Sequence, residues 1–104
     1  MSNINSTPEK FGLREVAELE FSDGCYQFDT RVVWVEIDTG NLYTARDSGC
    51  SCPVPFDDYR NIGDLTPVTI DFLDTLQIES RDAYSAKEGQ EFYYAVLQAF
   101  KSNG

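Results

Sequence analysis

Three cysteines and no histidine bound the chemistry open to this chain of 104 residues. Cys50 and Cys52 stand one residue apart in the segment Asp47-Ser48-Gly49-Cys50-Ser51-Cys52-Pro53-Val54-Pro55-Phe56-Asp57-Asp58-Tyr59, and Cys25 lies well upstream. A structural zinc ion takes four ligands, drawn mostly from Cys and His. Cys25, Cys50 and Cys52 would therefore need Asp47 or Asp57 to complete a set, and the fold would have to carry Cys25 to the loop. A disulfide between Cys50 and Cys52 would close a small strained ring that is easily reduced. Thiol catalysis requires a stabilised thiolate, whereas the neighbouring aspartates favour the neutral thiol. The preferred reading makes the cysteines small buried hydrophobes in a structural loop built from Gly49, Cys50, Cys52, Pro53, Pro55 and Phe56. A metal-binding or thiol-active protein is the alternative.

Nothing else in the chain assembles into a catalytic group. Without histidine there is no Ser-His-Asp or Cys-His pair, and neither a phosphate-binding loop nor a dinucleotide fingerprint is present. The adjacent acids Asp57 and Asp58 read as a solvated rim or a helix cap before they read as a cation or glycosidase site. The expectation is therefore a protein that is not an enzyme, carries no cofactor and acts by binding. Tyrosines beside carboxylates supply the surface for it, since aromatic rings anchor an interface and acids steer a basic partner onto it. The interface candidates are Asp47, Asp57, Asp58, Tyr59, Tyr93 and Tyr94, whereas Phe56 and Phe92 are expected in the core.

Charge ranks the partners. Eighteen Asp and Glu against eight Lys and Arg give a formal charge of −10, spread from Glu9 to Glu91 rather than gathered in a tail. Such a field repels phosphate backbones and anionic membranes, so a protein with a basic surface is the expected partner, with no direct binding to nucleic acid or membrane. No apolar stretch is long enough to span a bilayer, and Met1 to Lys10 is polar without a signal-peptide core. An odd number of cysteines fits a reducing cytoplasm.

The elements that must position these residues follow from periodicity. A length of 104 residues fits one domain, and 41% hydrophobic residues are enough to build its core. Residues 1–10 read as a flexible leader and 11–104 as a single α+β domain. Leu13 to Phe21 fits a strand better than a helix, because the turn Ser22-Asp23-Gly24 leads from it straight into a second strand. That second strand, Cys25 to Ile37, alternates Tyr26, Phe28, Thr30, Val32 and Trp34 with Gln27, Asp29, Arg31, Val33 and Val35, and its doubly apolar end places it centrally. Asp38-Thr39-Gly40-Asn41 turns the chain into Leu42-Tyr43-Thr44-Ala45, and a loop is expected from Asp47 to Asn61. Ile70, Leu73, Leu76 and Gln77, with Phe72 beside them, predict a helix opened near Thr69. Ser85-Ala86-Lys87-Glu88 matches a capping box ahead of a terminal helix facing inward through Phe92, Ala95, Val96, Ala99 and Phe100. The expected fold is a three-stranded antiparallel meander packed against two C-terminal helices.

From Ser22-Asp23-Gly24 through Val33-Trp34, Gly40-Asn41-Leu42-Tyr43 and above all the Cys-Ser-Cys-Pro-x-Pro-Phe core at 50–56, the chain resembles a family of small uncharacterised proteins encoded by bacteriophages of actinobacteria. The resemblance covers roughly residues 20 to 60 and brings no catalytic residues with it. It implies a phage context and the host cytoplasm, in which a small acidic accessory protein binds a host or phage protein. Inhibition and mimicry of DNA are versions of that role, and a structural or assembly component is a further alternative.

Overall fold

Strict alternation in the first half and a period near 3.6 in the second divide the molecule into a sheet and a helical layer. The structure, a computed structural model, describes residues 7–22, 27–50, 59 and 62–103. Strands β1 (Leu13–Glu20), β2 (Gln27–Glu36), β3 (Leu42–Cys50) and β4 (Thr66–Pro67) form one antiparallel sheet in the order β1-β2-β3-β4. Helices α1 (Ile70–Ser80) and α2 (Ala86–Asn103) follow. The domain is α+β, with β2 inside the sheet as its doubly apolar sequence requires.

The expected three-stranded meander gains a fourth strand. Thr66 pairs with Thr44 and Pro67 with Tyr43, and Val68 N donates to Leu42 O just beyond. Two residues are too few to show a period of two, and proline is tolerated because β4 is an edge. The loop expected from Asp47 also starts later. Asp47, Ser48, Gly49 and Cys50 continue β3 opposite Thr30, Asp29, Phe28 and Gln27, because the hairpin register carries pairing to the start of β2 despite the poor strand propensity of these residues. At the N-terminus a 3-10 turn, Pro8–Phe11, crosses the expected leader boundary and buries Pro8.

In β1 a register shift between Glu15 and Ala17 sends residues of one parity to opposite faces. Leu13 thus joins Val32, Trp34, Ala45 and Leu65 on one side of the sheet, with Phe11, Tyr43, Tyr59 and Ile62 packed around them. Leu19 joins Val33, Val35 and Leu42 on the other side, under Leu73 and Leu76 of α1 and Phe92 and Val96 of α2. Val32 to Val35 are all buried because both faces are covered at that level.

The β2–β3 turn depends on Gly40, whose φ of 78° lies in the left-handed region. Thr69 Oγ1 accepts from Phe72 N to open α1, and Ser85 Oγ accepts from Glu88 N to open α2. The inward seam of α1 is Leu73, Leu76 and Ser80, with Phe72 beside it. Ile70, expected on that seam, is 71% exposed because it is the first helical residue and projects before the helix meets the sheet, and Gln77 is exposed as well.

Candidate functional site

Helix α2 is the element around which the accessible surface is organised. Phe92 and Val96 lock one side of it to the core. On a second side Gln90, Tyr93, Tyr94 and Leu97, spaced i, i+3, i+4 and i+7, face Gln77, Ser80 and Arg81 of the α1 end across a cavity of about 450 Å³. Tyr93 is half-buried against the core, and Tyr94 stands 62% exposed with its ring 6.2 Å from that of Tyr93. One aromatic is thus fixed and its neighbour offered to solvent, between amide groups and a guanidinium.

The two helices come close because of Gly89. A Cβ there would collide with the main-chain carbonyl of Ser80, the last residue of α1. The glycine, which from helix propensity alone weakens the first turn by about 1 kcal/mol relative to alanine, is required by packing.

On its third side α2 meets β1. A cavity of about 460 Å³ there is lined by Glu88, Glu91, Phe92 and Ala95 of α2 and by Ala17, Glu18 and Glu20 of β1. Pairing with Val32 and Thr30 directs the Glu18 and Glu20 side chains to the sheet face away from α2. The Glu18 carboxyl is raised above its ordinary value by burial and by the charges of Glu15 and Glu20. Glu20 behaves in the opposite way. Burial alone would raise it, yet hydrogen bonds from Thr30 Oγ1, Asp29 N, and Ser22 Oγ and N hold it below its ordinary value.

An ionic cluster fastens α1 to the sheet, and periodicity gave no sign of it. Arg31 and Arg46 lie directly opposite on β2 and β3, an arrangement that is unfavourable unless anions intervene. Glu79 of α1 accepts from Arg31 Nε and Nη2 at 2.7 and 2.8 Å, and Asp29 accepts from Arg46 Nε and Nη2 at 2.8 Å each. Arg46 Nη1 also lies 3.5 Å from Glu79, completing the link. The Arg46 guanidinium sits 3.9 Å from the Phe21 ring centroid, and Arg31 sits 5.6 Å from that of Phe72. Hydrogen bonding to Arg46 holds the Asp29 carboxyl below its ordinary value. The signal that would have found this cluster was the pair of facing arginines in a chain with only eight cations.

The structure separates the expected interface residues. Tyr93 and Tyr94 line the inter-helical groove. Tyr59 is half-buried on the opposite side of the sheet, packed on the Trp34 cluster, with its hydroxyl donating to Arg46 O at 3.4 Å. Asp47 is half-buried on β3 and accepts from Ser48 N. Gly49 faces Phe28 across the β2–β3 ladder, and Cys50 is the last residue of β3. Asp57, Asp58, Cys25, Cys52, Pro53, Pro55 and Phe56 lie outside the described residues. Among the described residues, which do not include Cys25 and Cys52, no group of three or more Cys, Asp or Glu is placed to hold a metal ion. Among the described residues no helix is long and apolar enough to cross a membrane.

These features define a small α+β domain with a surface groove on either flank of its last helix. Residues 2–103 match a family described as a domain of unknown function, DUF7574, and the chain belongs to that family. No curated protein and no solved structure matches it.

Proposed function

We propose that this protein is a small acidic accessory protein, phage-encoded and acting in the host cytoplasm, that works by binding another protein through the groove between α1 and α2. The observation that carries the reading is Tyr94, 62% exposed beside a half-buried Tyr93 over a cavity of about 450 Å³. Rigid amphipathic rings at the mouth of a groove are the residues that dominate binding energy at protein interfaces. The formal charge of −10 favours a partner with a basic surface, whether a host or a phage protein. If that partner normally binds nucleic acid, the same charge makes inhibition by occupying its DNA surface the specific form of the role.

The test is affinity capture from host lysate with the wild-type protein and a Tyr94→Ala variant in parallel. The reading requires a salt-sensitive partner that the wild type retains and the variant releases. Equal retention by both removes the groove from the mechanism. Competition between the captured partner's DNA and this protein then decides the mimicry form.

A further inference from the structure

β1 is the terminal strand of the sheet, so one row of its main-chain donors and acceptors faces away from β2. Among the described residues, the main-chain bond that crosses this edge is at its far end, where Tyr84 N donates to Glu20 O at 3.2 Å. The edge thus already accepts one main-chain donor from the turns of the α1–α2 connection, and it continues past that bond along residues 13–19. The carboxylate groove lies against this same edge. It is lined by Ala17, Phe92 and Ala95 with Glu88 and Glu91 of α2, Glu18 and Glu20 carry their side chains on the other face of the same edge, and no lysine or arginine among the described residues lines it. No ion pair engages Glu18, Glu88 or Glu91 among the described residues.

We propose that the outer edge of β1 receives an extended, Lys- or Arg-bearing segment of a partner protein as a fifth strand, with Glu18 taking its cations on one face of the sheet and Glu88 and Glu91 on the other. Main-chain bonds supply the affinity in strand addition, and side chains on alternate residues supply the selectivity. A second copy of this chain is the wrong occupant. Pairing β1 with its own equivalent would bring Glu15, Glu18 and Glu20 of both copies into one small region, where like charges disfavour the ladder. A basic strand meets the same carboxylates as an opposite charge. This surface is separate from the tyrosine groove and stands or falls without it.

The probe is a synthetic peptide alternating lysine and valine, titrated into isotope-labelled protein and followed by amide NMR and hydrogen exchange. Shifts are expected along residues 13–20 and 88–95, with slowed exchange on β1. Methylating alternate peptide nitrogens should abolish binding, and the double variant Glu18→Lys, Glu88→Lys should weaken it about tenfold or more. Tyr94→Ala should leave peptide affinity unchanged, which keeps this result distinct from the fate of the inter-helical groove. Undiminished binding of the methylated peptide, full affinity in the double variant, shifts confined to Tyr93 and Tyr94, or a β1-paired dimer of the protein alone in sedimentation would each overturn the proposal.

Discussion

The two flanks of α2 differ in how their geometry is maintained. On the α1 side, Gly89 lets the helix ends touch, Ser80 Oγ donates to Gln77 O at 2.8 Å, and Glu79 ties α1 to two arginines of the sheet. The tyrosine groove is therefore braced from beneath. On the β1 side, Glu88 and Glu91 of α2 lie on one face of the strand edge and Glu15, Glu18 and Glu20 on the other, where burial and the charges of Glu15 and Glu20 raise the Glu18 pKa. One flank holds aromatic surface in a fixed shape, and the other holds unbalanced charge at a strand edge. The same helix can therefore present shape to one contact and electrostatic attraction to another.

The largest effect that would break this contrast is at Gly89. Alanine normally improves a helix, but here its Cβ would meet the Ser80 main chain. Gly89→Ala is expected to destabilise by about 2 to 3 kcal/mol, with a fall in Tm of about 10 °C or more. A thermal melt unchanged or raised would mean that the helix ends do not touch. Next comes the brace. Glu79→Gln leaves Arg31 and Arg46 opposed across the hairpin without their shared anion, and a loss of about 2 kcal/mol is expected in chemical denaturation, since the pair is largely buried. Faster hydrogen exchange should be confined to α1, and uniform acceleration across the sheet would contradict the brace.

Tyr94→Ala sharpens the comparison from the other direction. Its side chain is mostly exposed, so stability should change by less than about 0.5 kcal/mol while partner affinity falls about tenfold or more. The smallest effect concerns the carboxylate flank and has a defined sign. A carboxyl whose folded pKa is raised contributes stability that is present below its unfolded pKa and lost as pH rises through the folded value. Glu18→Gln should therefore raise Tm slightly at about pH 7 and leave it unchanged near about pH 3. Glu20 and Asp29 run the other way. Their lowered values contribute stability above the ordinary carboxylate range that disappears as pH falls through the folded values. Glu20→Gln should accordingly lower Tm at neutral pH and lose that penalty in strong acid, and an unchanged difference across the pH range would contradict it.

Side-chain alternation located β2 and the turn at Gly40, because pleating writes a period of two into any strand with distinct faces. The caps at Thr69 and Ser85 were legible for a similar reason, since they satisfy main-chain donors a few residues away. Tyr93 and Tyr94 could be singled out by residue type, but not the groove they line, which needs Gln77 and Arg81 from another helix. Ile70 was misplaced because a helical stripe does not state where along its length the core begins.

What the chain determined by itself was local and compositional: the acidity, the lack of imidazole, the class of fold, and the starts of both helices. Tertiary structure decided the rest, since each remaining feature joins residues distant in sequence. β4 exists only because Thr66 and Pro67 meet Tyr43 and Thr44. The bulge in β1 sends Leu13 and Leu19 to opposite cores, the Arg31–Glu79 pair spans 48 positions, and Gly89 is needed only because Ser80 arrives beside it. Periodicity records which side of an element is apolar, but the identity of the opposing surface exists only after the elements have packed.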